Sequence, residues 1–538
     1  MVRGGVREDV MLFIRLRSEE CRASWRHPYL TRLLFTSGLG ALLVGYFTGV
    51  ISIACIYDQD GFQSVLHENL VIMAIVGAIA GAAVGAWASD IFGRKFSMMM
   101  ADVLICFGAL LATKSSWPSL IVAGTVVIGL GVGLASMSSP IYIAEASPAR
   151  IRGSLVSTYG FLIVLGQFWC YFRNPHDTKE LRTTWHLMFE RIWFLAVLQF
   201  ILLLSLPESP KLNSIKEMKK EAESSCTIIS ELRSAWGTPA VRRGLLFGVG
   251  LQVIHQLVGY NAMVYYIPSI RELARWRKSL WTSLFGASLD NVQYWISYFS
   301  IERNGRRKQI LYSMCGITAC FLGLSAMFAI SSFNSPAVSR FEATIHFKNT
   351  TCPNYTTAPD AETWKCMTCL QVPSGCGFCA IQKVKTGACL SQNLNGELAC
   401  LKEGGEWFTR VCPIKGGKLL VTMTFTAYLM LYSSALGTVP WVVNSEVYML
   451  RYRGLCAGIA AIANWFSYLA MVVLYLSYSS VLGPIYLFLL LGLVSFLSSV
   501  FIDLFLPDTS GLPLEPYVGG YLRRLLRQLA GSEDSHEN

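Results

Sequence analysis

The residues best placed to do chemistry lie in "LQVIHQLVGYNAMVYYIP", residues 251–268. Gln252, His255, Gln256 and Gly259 fall at i, i+3, i+4 and i+7, which is one face of a helix. A polar stripe in an apolar segment faces a cavity or a partner helix rather than lipid. Each carboxamide offers donors and an acceptor, which suits a ligand dense in hydroxyl groups. In a straight helix Asn261 would sit about 140° from Gln256 at ~100° per residue, so it joins the site only if the helix breaks near Gly259. Four more side chains have the same character: Gln167 in "LIVLGQFW", Trp441 after Pro440 in "GTVPW", and the pair Asn464 and Trp465. Pro440 removes a backbone donor and kinks its helix, with Gly437 easing the bend. A Trp face packs on the C–H face of a ring while its N–H donates. The alternatives are adhesion between helices for Gln252 and Gln256, and an interfacial ring for Trp441. Asp290 in "GASLDNVQYW" can hydrogen-bond a hydroxyl, or form a proton site with His255.

The elements that carry these side chains are membrane helices. Hydrophobic residues make up 53% of the 538 and charged residues only 15%, with a positive mean hydropathy. A soluble chain of this size carries more charge. Apolar runs near the length that crosses a bilayer, about 20 residues, recur along the chain. Twelve are expected, at about 31–56, 69–89, 97–114, 118–146, 154–173, 188–206, 243–271, 279–301, 309–332, 419–446, 455–478 and 482–506; these are spans 1 to 12. Basic clusters in the N-terminal arm and at 93–95, 149–153, 211–243, 303–308, 451–454 and 523–527 fall on one face, which marks it as cytoplasmic. Two segments of the opposite face, 173–182 and 271–278, are basic against that rule. The net charge of +11 therefore reads as topology and attraction to anionic lipid, not nucleic-acid binding. The first thirty residues mix both signs without a small-residue cleavage site, so span 1 is expected to be an uncleaved anchor.

The cytoplasmic hairpins repeat. "SDIFGRK" after span 2 pairs with "IERNGRRK" after span 8, "YIAEASPARIRG" with "VNSEVYMLRYRG", and "PESP" with "PDTS". The first pair is offset by about 212 residues and the later ones by about 300, a mismatch close to one insert at 334–416. The expected fold class is an all-α membrane protein of twelve transmembrane helices in two six-helix pseudo-repeat bundles, with a small disulfide-rich extracellular insert. Its divisions are an arm (1–30), the first bundle (31–206), a cytoplasmic loop (207–242), helices 7–9 (243–333), the insert (334–416), helices 10–12 (417–506) and a tail (507–538). Internal repeats of this kind characterise secondary transporters, with the site between the halves. Asp90, Arg94, Glu145 and Arg152 in one half and Glu302, Arg306, Glu446 and Arg453 in the other read as gating charges. The plainer alternative is topogenic charge. Glycines recur every fourth residue at Gly77, Gly81 and Gly85 and at Gly129 and Gly133, which is close helix packing. "GLGVG" is not a phosphate loop, since it lacks the Lys. No enzymatic triad, metal site or cofactor motif is read.

The insert holds eight cysteines: Cys352, Cys366, Cys369, Cys376, Cys379, Cys389, Cys400 and Cys412. "CMTC" and "CGFC" could suggest a zinc knuckle, but a loop after an odd-numbered span lies outside, where disulfides form. The sequons at Asn349 and Asn354 fall in the same loop and are expected to be glycosylated. Spacing leaves the pairing open. The remaining eight cysteines read as small apolar residues.

"GRK", "YIAEASPARIRG", "PESP", "GYNAMVYYIP" and "GTVPWVVNSEVY" resemble the sugar porter branch of the major facilitator superfamily. The insert and "ASPARIRGSLVSTYGFLI" narrow the resemblance to plant myo-inositol transporters, with an insert similar to plexin–semaphorin–integrin modules. This implies alternating-access transport of a cyclic polyol or monosaccharide, most simply myo-inositol, with proton symport by a monomeric unit. It also implies polyol contacts at Gln167 and Asn261. The plasma membrane is expected, with the vacuolar membrane as the alternative. The chain departs from the family in places. Phe47 in "GYFTG" stands where proton-coupled members carry Asp, and Thr125 stands where they carry the balancing Arg. His255 replaces a Gln, Asp290 an Asn, and Glu190 and Arg191 stand where the family is mostly apolar. Losing both span 1 and span 4 charges leaves a neutral interface, whereas losing one would strand a charge in the membrane. Proton-independent facilitation, and a transport-inactive sensor presenting the insert, therefore stand as alternatives.

Overall fold

The structure is a computed structural model. It describes residues 28–57, 61–114, 117–148, 151–173, 181–213, 217, 228–258, 270, 288, 291–294, 297, 305–339, 347, 350–358, 361–372, 375–380, 386–409, 411–413 and 417–505. The first half holds α1 (Pro28–Tyr57), α2 (Gly61–Ile91), α3 (Arg94–Lys114), α4 (Pro118–Ala146), α5 (Arg152–Arg173) and α6 (Leu181–Leu204), which correspond to spans 1–6. A short helix α7 (Ile228–Gly237) leads into α8 (Pro239–Leu257), the start of span 7. The rest of span 7 and most of span 8 lie outside the described residues. Span 9 is α9 (Arg306–Phe333). Ten stretches among the described residues are long and apolar enough to cross a membrane, matching spans 1–6 and 9–12.

Small residues set how closely these helices approach. A methyl group added at Gly81 of α2 would lie 1.9 Å from the Leu130 carbonyl of α4, and one at Gly133 of α4 would lie 2.0 Å from the Ala78 carbonyl of α2. Gly45 and Gly166 lock α1 to α5 in the same reciprocal way, against the carbonyls of Ile163 and Leu42. Backbones in contact leave room only for hydrogen.

The internal repeat is visible in the backbone. Gly93 and Gly305 both have left-handed φ, 107° and 77°, at the turns that open α3 and α9. That conformation favours glycine. Each turn delivers an arginine, Arg94 or Arg306, with a fully buried side chain.

Span 10 is interrupted. It comprises α13 (Gly417–Ala435) and α14 (Val439–Glu446), the break falling around Gly437 and Pro440 as their chemistry requires. The helical run α15 (Arg453–Phe505) covers spans 11 and 12 without a gap. Straight, it would be roughly 80 Å long, far more than a bilayer. Its start lies beside Glu145, and its end pairs Asp503 with Arg307 at 2.8 Å in the turn that opens α9. Both ends therefore lie on the same face, so the chain turns back between the two apolar stretches Leu450–Leu474 and Pro484–Phe505.

The described strands are confined to the insert. Helices α10 (Pro353–Thr357), α11 (Cys366–Leu370) and α12 (Leu394–Lys402) surround an antiparallel sheet ordered β2–β1–β3, formed by β1 (Cys376–Ala380), β2 (Gly387–Ser391) and β3 (Glu406–Phe408). The bridges are Cys352–Cys376, Cys366–Cys412, Cys369–Cys389 and Cys379–Cys400. With every insert cysteine paired, no thiolate remains to hold zinc. The cystines and Phe378, Leu390 and Phe408 form the insert's own core. Ser331 of α9 donates to the Cys412 carbonyl at 2.6 Å and accepts from its N–H at 3.2 Å, tying the insert to the bundle.

Candidate functional site between the two halves

A cavity of about 180 Å³ lies where the halves meet. Phe47, Thr48, Ser136, Tyr159 and Gln167 line it from the first half, and His255, Gln256, Tyr294, Tyr432, Trp441 and Asn464 from the second. The break in span 10 positions Trp441. Its ring is buried and stands edge-on to Tyr159 at 5.9 Å and to His255 at 6.2 Å. Trp465 crosses between the halves, its Nε1–H donating to Ser136 Oγ at 3.2 Å.

The amides of spans 7 and 11 form one cluster. Gln256 Nε2 donates to Asn464 Oδ1 at 2.9 Å, and Asn464 Nδ2 donates to Gln252 Oε1 at 2.5 Å. Gln252 Nε2 donates in turn to the Pro440 carbonyl at 3.3 Å. Both Gln256 Nε2 and Asn464 Nδ2 also approach His255 Nδ1, at 3.3 and 3.2 Å. Gln252 corrects the sequence reading: it is fully buried and does not line the cavity. Helical spacing put it on the right face, but the span 10 break brings Pro440 against that face one turn before the cavity opens. Gln252 therefore braces spans 7, 10 and 11. Asn261 and Asp290 lie outside the described residues.

"GYFTG" sits on the cavity wall. Phe47 is packed in an apolar cluster with Val44, Val50, Ile105 and Ile128. Thr48 Oγ1 donates to the Gly45 carbonyl at 2.8 Å and accepts from Gln167 Nε2 at 3.0 Å, so the neighbouring Thr fixes Gln167. The Thr125 hydroxyl bonds back to Val122 of its own helix. Arg191 of α6 reaches Tyr46, its Nη1 donating to the phenol oxygen at 3.3 Å, while Glu190 is exposed. Nothing in local spacing signals the Arg191–Tyr46 contact, which spans two distant helices.

The hairpin charges gather at one end of the bundle. Arg94 bonds Asp90 at 3.2 Å, Glu145 at 3.1 Å and the Ser89 carbonyl at 2.6 Å. Arg453 of the second half stands 3.7 Å from the same Glu145 oxygen. Arg306 bonds Glu446 at 2.9 Å, and Arg152 donates to the Ala144 carbonyl at 3.1 Å. Glu302 lies outside the described residues. Two further groups of this region come from "PESP", a donor and an acceptor that local spacing does not signal. Ser209 donates to Glu145 Oε2, and Glu208 accepts from the Lys95 N–H at 3.0 Å. The Glu145–Arg453 contact joins the halves, so this face is closed. On the opposite face, Asn354 is exposed on α10 and Asn349 lies outside the described residues.

Residues 33–342 and 396–518 match the family described as sugar (and other) transporter. The chain belongs to the sugar transporter family. The gap between the two matched stretches falls within the insert. Probable inositol transporter 2 of Arabidopsis thaliana is 40% identical, the match covering 92% of each chain. Inositol transporter 4 of the same plant is 39% identical, over 96% of this chain and 95% of that one. The human proton myo-inositol cotransporter is 27% identical, over 93% and 83%. Among solved structures, the major facilitator proton:xylose symporter XylE bound to 6-bromo-6-deoxy-D-glucose aligns with a TM-score of 0.62 at 22% identity, covering 90% of this chain and 98% of that one. That likeness establishes the fold, and the family match makes the chain a multi-pass integral membrane transporter rather than an enzyme.

Proposed function

We propose that this transporter carries a cyclic polyol, myo-inositol, across the plasma membrane by alternating access. The observation that carries the reading is the cavity itself: the carboxamides of Gln167, Gln256 and Asn464 converge on a space walled by Trp441 and tyrosines. Amides matched to vicinal hydroxyls, and a ring face matched to axial C–H groups, are complementary to a saturated ring bearing many hydroxyls. The relatives named as inositol transporters favour the same substrate. Gln167, His255, Gln256, Trp441 and Asn464 hold it, Asn261 and Asp290 complete the site from spans 7 and 8, and Gln252 braces it. The Glu145–Arg453 contact closes the cytoplasmic side when the outer side is open, and the Asp90–Arg94–Glu145 and Arg306–Glu446 groups hold the hairpin ends in place within each half. The insert is an extracellular disulfide module that carries glycans on Asn349 and Asn354.

Two energy sources are compatible with this carrier. Relatives named as proton cotransporters favour symport. A specific observation favours facilitated diffusion: the span 1 position of the proton acceptor is Phe47, buried among apolar side chains. Labelled myo-inositol uptake under voltage clamp in oocytes separates them. Saturable uptake with an acid-dependent inward current supports symport, and uptake without current supports facilitation. Surface-expressed protein that moves no polyol at any pH would overturn the transport reading in favour of a sensor.

A further inference from the structure

His255 is the imidazole of the cavity, and no carboxylate or cation among the described residues lines the space with it. Its environment fixes which ring nitrogen carries the proton. A backbone carbonyl can only accept, so the Gln252 amide must point its NH2 at Pro440. Its oxygen then faces Asn464, which must answer with Nδ2. That orientation turns Asn464 Oδ1 toward Gln256, which must supply Nε2. Two amide nitrogens, from Asn464 and Gln256, consequently meet His255 Nδ1. Amide nitrogens donate and do not accept, so Nδ1 bears the lone pair and Nε2 bears the hydrogen.

We infer that this one-directional amide relay, anchored on the Pro440 carbonyl, holds His255 as its neutral Nε2–H tautomer, a fixed donor to a substrate hydroxyl that takes up no second proton while spans 7 and 10 stay in contact. An imidazolium needs an acceptor at Nδ1. Supplying one means flipping Asn464, then Gln252 and Gln256, and finally setting Gln252 Oε1 against the Pro440 carbonyl, acceptor to acceptor. Among the described residues, the remaining titratable neighbours do not relieve this. Tyr432 of span 10 stacks on the ring at 5.9 Å and uses its hydroxyl on the His255 carbonyl. Tyr159 of span 5 and Tyr294 of span 8 are neutral phenols on the same wall, and span 11 contributes Asn464. His255 thus differs from the glutamine it replaces: an amide donates or accepts at will, whereas this imidazole only donates.

The donor role rests on the substrate reading above, but the tautomer does not. The test is the 15N spectrum of histidine-labelled, full-length protein in lipid nanodiscs, taken as the difference from His255→Gln. The expected result is a neutral Nε2–H imidazole from pH 7.5 to pH 5.0, although a free histidine, with a pKa of about 6.5, would be almost wholly charged at the lower limit. An Nδ1–H tautomer, or an imidazolium growing in over that interval, overturns the inference. Gln252→Leu removes the anchor, and imidazolium should then appear on acidification; a spectrum as pH-insensitive as wild type would show that the relay is not the lock. With myo-inositol as probe, His255→Gln should bind and His255→Leu should lose about tenfold or more in affinity; equal affinity for His255→Leu would remove the donor role. Should no variant bind myo-inositol, the substrate reading fails while the spectra still decide the tautomer.

Discussion

Replacing Arg453 by Met should unlatch the cytoplasmic side. Within the Glu145 cluster, Arg94 belongs to the same half as Glu145, so their 3.1 Å bond does not require the two halves to meet. The Arg453 contact is the part that depends on closure. Both side chains are fully buried, and at 3.7 Å and an effective dielectric near 20 the attraction is about 4 kcal/mol. Water re-solvates both groups when the halves part, which returns roughly half of it. The remaining ~2 kcal/mol is about 30-fold in the ratio of closed to open carrier. Spin labels on Ile91 and Met449, both exposed near the cytoplasmic ends of opposite halves, report that ratio as a distance distribution. Met matches the length of the arginine stem, so packing is largely kept. In Arg453→Met the short-distance population should give way to a long one by about that factor. A distribution unchanged from wild type would refute the claim that this contact biases the closed state.

Other perturbations follow from the same geometry. Gly81→Val should abolish folded protein in a detergent size-exclusion assay, because its Cβ would lie 1.9 Å from the Leu130 carbonyl, whereas Gly237→Ala, with nothing within 4 Å, should be silent. Phe47→Asp should lower folded yield by setting a charge in an apolar cluster, and adding Thr125→Arg should recover it; an undiminished single variant would contradict the neutral-interface reading. Asp102 of α3 is buried with no hydrogen-bond partner for Oδ2 among the described residues, so Asp102→Asn should leave the melting temperature unchanged or raise it. A marked drop would show that the carboxylate has a role the fold does not reveal.

Much of the architecture was legible because a bilayer leaves few options. Length and hydropathy mark the spans, and "GRK" against "GRRK" marked two turns that share a left-handed glycine and a buried arginine. Spacing also exposed the glycine faces of α2 and α4, since both partners carry the same period. Periodicity names a face without naming what covers it, which is why Gln252 was assigned to the cavity and not to Pro440. Contacts between distant segments were beyond reach for the same reason. Ser209 on Glu145, Arg191 on Tyr46 and the four cystine pairings depend on tertiary approach, and no local pattern encodes it. Phe47 was legible in the other direction, as an expected acid that is missing.

The central claim is that the amide-lined cavity between the halves binds a cyclic polyol. Equilibrium binding of labelled myo-inositol to purified protein, wild type beside Gln256→Leu and Trp441→Ala, tests it most directly. The account predicts saturable binding that unlabelled inositol displaces, and a loss of at least about tenfold in each variant. Absence of binding to folded wild-type protein, or binding that both variants leave intact, would contradict it.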